Sequence, residues 1–505
     1  TLPEIELPAP GRAGQTPCLT VLYHPDVSRI GDRLQICLKD SDAEVSLHRF
    51  GPDFSDIEEQ TAKPLGDQHL SRAPLRFRSH EQGLEVDATD HGSSVALAGQ
   101  RLDSRHTLSV EEIGRGVSLM LARRIVLLIH YGPEEYSSAP DCGLIGQGAA
   151  MLRIRELVAR IAKESSPVLL MGESGTGKEL LARAIHEQSN RASGPWVPVN
   201  MAAIPAELAG AELFGVRRGA YTGADEDRAG YFQQAQSGTL FLDEIGECPA
   251  RVQPLLLRAL QEGEIQLPGG KIQSVDVRII AATDSVLDSG DGEFSVALRH
   301  RLGGFELHIP ALRERREDLG LLLRHALPVL LCESSVLSPL CVGQWAQLVL
   351  DMSNYRWPGN VREMLNVCQQ IEMASRDEGD LCVPDDVLRR LRQGAETTPG
   401  ISTQTQSHHY RQRAEPSESE IREAMALAQW EVARAARRLE ISRQALYNRI
   451  ESIDGLRVVA NITSAEIEAM YHDCGGQLQQ AARRMQVSLP ALRRRWRALD
   501  LAPED

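Results

Sequence analysis

Gly172-Glu173-Ser174-Gly175-Thr176-Gly177-Lys178 is the segment whose residue types and spacing define a chemistry most directly. It follows the apolar run 168–171 and precedes Leu180-Leu181-Ala182-Arg183-Ala184-Ile185. A strand, a glycine-rich turn and a helix in that order let backbone N–H groups cradle phosphates. Lys178 is spaced to reach the β- and γ-phosphate oxygens. Glu179 stands where such loops usually carry a Mg2+-binding Ser or Thr. Further on, Leu240-Phe241-Leu242-Asp243-Glu244 ends an apolar strand in two carboxylates, at the strand end where ligands bind in such sheets. Asp243 is suited to hold Mg2+, and Glu244 to orient and activate a water for phosphoryl transfer. Together the motifs predict ATP as substrate and Mg2+ as cofactor.

These groups need a parallel sheet to hold them. Apolar runs at 168–171, 240–242 and 277–281 alternate with helical periodicity, which predicts βα units over residues 141–311. Helical patterning continues over 312–392 as a lid. Ahead of the sheet, short strands at 18–23, 34–38, 44–47, 75–78, 83–86, 117–121 and 125–129 predict an all-β sandwich over 1–132. A Pro-, Gly- and Ser-rich connection at 132–141 joins the two. Residues 393–417 turn to Gly, Thr, Ser, Gln, His and Pro, as a flexible linker does.

The tail repeats itself at an interval of 46 residues without gaps. Glu420-Ile421 falls on Glu466-Ile467, Ala435-Ala436-Arg437-Arg438 on Ala481-Ala482-Arg483-Arg484, Ser442 on Ser488, Ala445-Leu446 on Ala491-Leu492, and Arg449 on Arg495. Each copy, at 418–455 and 461–505, reads as helices around a turn with a Ser as N-cap of the last one, a helix-turn-helix. In the first copy Arg443, Gln444, Tyr447, Asn448 and Arg449 are candidates for phosphates and base edges of duplex DNA. In the second, Arg493, Arg494 and Arg495 extend a run that holds no acid from 474 to 499. That run favours phosphate binding, and the second copy either lengthens the DNA site or serves dimerisation.

The 505 residues carry a net charge of −15, so DNA binding has to come from a local basic face rather than from bulk charge. Nine cysteines form no C-x-x-C pair or Cys/His cluster, which argues against a structural metal site and suits a reducing compartment. No apolar stretch is long enough to span a bilayer without a charge, and the first residues lack the regions of a signal peptide. The expectation is a cytoplasmic protein without a membrane partner.

Between the phosphate loop and the acidic strand lies Gly219-Ala220-Tyr221-Thr222-Gly223-Ala224. Its glycines allow a short excursion with an aromatic and hydroxyl tip fit for a protein contact. With both nucleotide motifs, this loop resembles the one with which bacterial enhancer-binding activators of the AAA+ family engage sigma-54 RNA polymerase. Within that family Glu179 is usual. The resemblance makes Asn200 the strand asparagine that restrains the catalytic glutamate, Thr283 the sensor of the γ-phosphate, and Arg362, in Trp357-Pro358-Gly359-Asn360-Val361-Arg362-Glu363, the second sensor. It also implies a ring, hexameric in the family, with two arginines acting in trans. Here the corresponding segment is Phe294-Ser295-Val296-Ala297-Leu298-Arg299-His300-Arg301-Leu302. Arg301 is retained, Ser295 replaces the first arginine, and Arg299 lies one helical turn on as a partial substitute. Asp284 replaces the Asn that usually follows the sensor, and Arg217-Arg218 replaces a His-Glu before the loop. The first tail copy resembles the Fis-type helix-turn-helix that ends most such activators.

The sandwich resembles a forkhead-associated (FHA) domain, a phosphothreonine reader. Ser46-Leu47-His48-Arg49 stands for that family's Gly-Arg, His69-Leu70-Ser71-Arg72-Ala73-Pro74 for Ser-Arg-x-His, and Ala98-Gly99 for Asn-Gly. Arg49, Ser71 and Arg72 are its candidate phosphate ligands. The lost Gly, His and Asn leave two readings, a phosphopeptide reader or a protein-interaction module on the same fold. For the chain as a whole the expectation is an ATP-hydrolysing activator that binds upstream DNA and drives sigma-54 polymerase to the open complex. The alternative is a DNA-binding regulator whose AAA+ domain senses nucleotide or oligomerises with little hydrolysis.

Overall fold

The computed structural model describes residues 15–38, 43–56, 61–133, 142–217, 227–266, 271–284, 294–328, 339–378 and 381–394, with positions scattered through 418–446 and 462–496. Two compact units divide the chain, Thr1–Thr398 and Pro399–Asp505.

Between Gln15 and Pro133, an eight-stranded and a four-stranded antiparallel sheet form a sandwich. Alternating apolar residues turn inward, so Leu19, Val21, Phe54, Phe77, Leu119 and Leu127 share one dry core. The long strands Gln15–Tyr23 and Ile125–Pro133 pair at its centre. Both run further than the sequence pattern predicted, the first by three residues at its start and the second by four at its end, where Gln15-Thr16-Pro17 and His130-Tyr131-Gly132-Pro133 lack a clean apolar alternation. Strands Val95–Leu97 and Arg105–Ser109 and the helix Val110–Arg115 were not anticipated. The helix carries a legible signal nonetheless, a capping box in which Ser109 and Glu112 bond each other's backbone N–H.

The second part of this unit is a five-stranded parallel sheet. In spatial order its strands are Trp196–Asn200, Thr239–Asp243, Arg278–Thr283, Val168–Met171 and Phe305–His308. Helices Ala149–Ile161 and Lys178–Glu187 pack against it, and the fully buried Arg278 donates to the carbonyls of Ile161 and Ala162 at the end of the former. Helices Leu319–Ala326, Pro339–Asn354, Asn360–Glu378 and Asp385–Gln393 make the lid.

The sandwich and the lid share one core. Leu22, Tyr23, Met120, Val126 and Leu128 of the sandwich cluster with Leu319, Leu322, Leu323 and Trp345 of the lid. Tyr23 stacks on Trp345 with ring centroids 6.4 Å apart. Gly320 makes the approach possible, since a Cβ there would sit 2.5 Å from the Leu22 carbonyl oxygen. Polar bonds frame the seam. Arg316 donates to the Gly116 carbonyl at 2.9 Å, and Ser118 to Asn354 Oδ1 at 3.0 Å.

In the second unit the repeat read from sequence reappears as burial. Ile421, Ala428, Ala435 and Leu446 are buried, and so are Ile467, Cys474, Ala481 and Leu492, their counterparts 46 residues on. Helices Ser464–Asp473 and Leu478–Arg484 of the second copy pack with Val487 and Trp496 into their own core.

Candidate active site

The phosphate loop leaves the C-terminal end of the central strand Val168–Met171, flanked on both sides by parallel neighbours. Gly172, Gly175 and Gly177 adopt φ of 155°, 79° and 106°, a backbone that turns N–H groups toward a common centre. Gly175 also admits the lid, since its Cβ would meet the Gly359 carbonyl oxygen at 2.4 Å. The helix Lys178–Glu187 begins at Gly177 with no side chain capping it, so its first N–H groups are left for an anion. Lys178 is buried and its Nζ donates to the Gly172 carbonyl at 2.7 Å, inside the loop it would share with a phosphate. Glu173, Ser174, Thr176 and Glu179 complete the expected set, and Ser174, Thr176 and Glu179 line one cleft of about 630 Å3 together with Asp243, Glu244 and Arg362. Open glycine geometry, an uncapped helix start and a buried lysine fit a nucleotide triphosphate.

Asp243 and Glu244 stand at the end of strand Thr239–Asp243, separated from the loop strand by Arg278–Thr283, both half-buried. Glu244 occupies the left-handed region at φ 51°, a strained conformation that turns its carboxylate out of the strand direction. Burial, then Asp284, raises the Glu244 carboxyl above its usual range, with Lys178 opposing. Asn200 lies opposite Asp243 in the parallel register, and its Oδ1 accepts from the Ala202 N–H of its own turn at 2.9 Å. Thr283 is buried at the end of the next strand, and its carbonyl accepts from Gly172 N–H at 3.3 Å. Asp243 and Glu244 thus line the cleft and Thr283 touches the loop backbone, while Asn200 lies on the edge strand beside Asp243.

The lid closes on this loop through residues that the sequence reading mostly missed. Arg362 Nη1 donates to Ser174 Oγ at 3.1 Å, as expected of a lid arginine in the site. Beside it, Arg313 forks onto both carboxylate oxygens of Glu173, at 2.8 and 2.5 Å, and Asn360 Nδ2 donates to the same carboxylate at 3.1 Å. The Arg313 and Asn360 bonds hold the Glu173 carboxyl down at about 2. Arg315, almost wholly buried, donates to the Thr176 carbonyl at 3.0 Å. The signal for Arg313 and Arg315 was present in Leu312-Arg313-Glu314-Arg315-Arg316, a basic run set directly after the last strand of the sheet.

The same segment carries the sandwich. Just after Arg315, the half-buried Glu317 and the buried Asp318 have Arg33 of the sandwich beside them. Asp318 Oδ1 accepts from Gln147 and Gly148 N–H at 2.7 Å each, on the loop whose Leu144 and Ile145 line the nucleotide cleft. Burial and the Glu317 charge push the Asp318 carboxyl up to about 6. Residues 313–320 thus touch the phosphate loop, the far wall of the cleft and the sandwich in succession.

The segment expected to act in trans is a short helix, Val296–Leu302, and Ser295 is its N-cap, accepting from Leu298 N–H at 3.3 Å. Arg301 is exposed and donates through Nε and Nη2 to the Leu260 carbonyl at 3.1 and 3.0 Å. Arg299 turns to Glu306, 3.9 Å away, on the neighbouring strand Phe305–His308. Both arginines of this helix are thus bonded within their own chain.

Two loops of the sandwich bring Arg49, Ser71 and Arg72 to one edge, where Arg49 N–H bonds the Ser71 carbonyl at 3.0 Å. Ser71 Oγ accepts from the N–H groups of Ala73 and Gly92 at 2.9 and 3.0 Å, Arg49 lies over the Phe50 ring, and Arg72 is exposed. The loop at 219–224 lies outside the described residues, as do Arg443, Gln444, Tyr447, Asn448, Arg449 and Arg494. Just below the loop, Val216 and Arg228 form an antiparallel bridge and Arg217 pairs with Asp227 at 2.5 Å, where the family resemblance led to a His-Glu. Among the described residues, no helix is long and apolar enough to cross a membrane.

Residues 144–308 match the family described as the Sigma-54 interaction domain, 313–403 an AAA+ ATPase lid domain, and 417–452 a bacterial regulatory protein family of Fis type. The response regulator protein PilR of Pseudomonas aeruginosa is 37% identical over 325 residues, 64% of this chain and 72% of that protein. The DNA-binding transcriptional regulator NtrC of Escherichia coli K12 is 45% identical over 235 residues, 46% of this chain and 50% of its own length. A crystal structure of NtrX from Brucella abortus in complex with ATP is 27% identical, covering 71% of this chain and 70% of that one, with a TM-score of 0.44.

Proposed function

The chain belongs to the sigma-54-dependent enhancer-binding activators, AAA+ ATPases with a Fis-type DNA-binding domain, and we propose that it couples ATP hydrolysis to opening of sigma-54 promoter complexes. The observation that carries this reading is the interlocked loop and lid, Glu173 with Arg313 and Asn360, and Ser174 with Arg362. They bracket a cleft floored by Asp243 and Glu244. In this scheme the loop N–H groups and Lys178 hold the β- and γ-phosphates, and Asp243 would hold Mg2+, which neutralises charge on the phosphates when bound. Glu244 orients the attacking water, and Thr283 and Arg362 respond to the γ-phosphate. Asn200, one residue from Glu244 across the register, positions that carboxylate. Arg301 completes the site of a neighbouring copy in a ring, hexameric by resemblance to the family. The loop Gly219 to Ala224 delivers the motion to sigma-54, from a neck fixed by Val216 and Arg228. Arg443, Gln444, Tyr447, Asn448 and Arg449 read upstream DNA, and the setting is the cytoplasm.

The sandwich is the control element, an FHA-like domain with Arg49, Ser71 and Arg72 as its edge for a phosphothreonine or other protein partner. Its route to the ATPase runs through residues 313–320. A second reading, a DNA-binding regulator with little hydrolysis, has one observation in its favour, the capping Ser295 in place of the first arginine. The deciding experiment is open-complex formation by sigma-54 polymerase with intact protein and with Thr222→Ala. The proposal expects opening that requires ATP hydrolysis and is lost in the variant. Unchanged opening by Thr222→Ala would remove the loop assignment, and no ATP turnover at any concentration would favour the second reading.

A further inference from the structure

The two tail copies share a fold but not a surface. Over 428–453 the first copy carries five arginines and three glutamates, a net +2; over the equivalent 474–499 the second carries six arginines and no acid, a net +6. The changes fall at defined places in the last helix that the sequence pattern predicts for the motif. A recognition helix contacts base edges mainly from its N-terminal residues. There Arg443 and Gln444 of the first copy become Leu489 and Pro490, which offer no hydrogen bond to a base edge. Further along, Tyr447, Asn448 and Glu451 become Arg493, Arg494 and Arg497. The second copy has thus lost the groups that distinguish bases and gained groups that neutralise phosphates. Its own core accounts for its apolar residues, since Leu492 and Trp496 are buried with Ile467, Leu478 and Val487. Among the described residues of this copy no large apolar side chain is exposed. Arg484 and Arg493 are exposed; of the acids of this copy, Glu466, Glu468 and Asp473 lie on the first helix and Asp500, Glu504 and Asp505 follow the arginine run in sequence.

We propose that the second helix-turn-helix is a sequence-independent duplex clamp, which grips DNA phosphates beside a first copy that reads bases. The inference rests on the reading of the first copy as a DNA-binding unit. It gives a chain of net charge −15 a local cation surface strong enough to hold DNA.

The test uses the full chain and two labelled duplexes, one of random sequence and one enriched by selection with the intact protein. Arg484→Gln with Arg493→Gln should weaken both duplexes alike, by roughly 10- to 30-fold at about 0.15 M salt, and lower the slope of log affinity against log salt by about two. Arg484→Lys with Arg493→Lys should bind like the parent, which separates lost charge from lost fold. Asn448→Ala should weaken the selected duplex and spare the random one. Loss on the selected duplex alone in the glutamine pair would overturn the clamp in favour of a second base reader. Unchanged affinity with a smaller assembly by light scattering would overturn it in favour of dimerisation. An intact chain that binds neither duplex would instead remove the DNA-binding reading of the first copy.

Discussion

On the lid side of the nucleotide cleft three arginines have partners that belong to the site. Arg313 forks onto Glu173, Arg315 holds the Thr176 carbonyl, and Arg362 reaches Ser174. On the helix 296–302 the two arginines are held by groups that have nothing to do with nucleotide, Arg299 by Glu306 and Arg301 by the Leu260 carbonyl. The difference follows from where each set works. Groups that act within one subunit are fixed by that subunit's own packing. Groups proposed to act on a neighbour are held by surface bonds that a neighbour can replace. Ser295 goes further, because its hydroxyl caps a helix and can supply no charge at all. In the proposed ring, the site is complete in cis and pared down in trans.

Arg301→Ala offers the largest way to break that comparison. If Arg301 alone carries the trans role, its loss should lower ATP turnover by about 10³-fold or more, while Arg299→Ala should change it by less than about tenfold. Steady-state phosphate release on both variants decides this, and equal losses would return Arg299 to the site. Glu173→Gln tests the cis side. It removes a charge-assisted bidentate pair, so nucleotide affinity should fall by roughly 10- to 100-fold, read by fluorescent-nucleotide titration. Gly320→Ala tests the connection to the sandwich. A Cβ 2.5 Å from the Leu22 carbonyl oxygen should destabilise the docked sandwich by about 1–3 kcal/mol, seen as earlier proteolysis in the 134–141 connection, with the parallel sheet left intact.

Two carboxyls divide the pH dependence with opposite signs. Glu173 titrates at about 2, below its ordinary 4.5, so its contribution to stability is full above 4.5 and is lost as the pH falls toward 2. Asp318 titrates at about 6, above its ordinary 3.8, so ionising it opposes folding near neutrality and that opposition fades as the pH falls from 7 through 6 toward 3.8. Unfolding curves of Asp318→Asn should therefore lose a rise in stability between pH 7 and 4, while those of Glu173→Gln should lose a fall below 4.5. A parent and an Asp318→Asn variant with the same slope between pH 7 and 4 would contradict the buried assignment.

The sequence made the cis site legible because its parts are contiguous and chemically marked. Gly172 to Lys178, Asp243-Glu244 and the lid stretch around Arg362 all sit on the elements expected of them. The repeat was legible too, since its apolar positions recur at one interval and are buried in both copies. Arg313 and Arg315 were missed because a basic run after a strand has no fixed meaning until its partners, Glu173 and Thr176, are brought across from residues more than a hundred positions earlier. The shared core of sandwich and lid was invisible for the same reason. Tyr23 and Trp345 carry no local sign that they will stack, and Gly320 marks a close approach only once Leu22 is known to face it. Helical spacing places Arg299 on a face but says nothing of Glu306 on the following strand.

A mixture of two inactive proteins tests the cis and trans division most directly. Lys178→Ala cannot hold nucleotide but keeps Arg301, whereas Arg301→Ala keeps the nucleotide site and lacks the arginine. Phosphate release should be near zero for each alone and should reappear when they are combined at concentrations that allow assembly. A mixture as inactive as its components would contradict an arginine supplied by a neighbouring copy, and with it the division between a site complete within one subunit and a helix that serves the next.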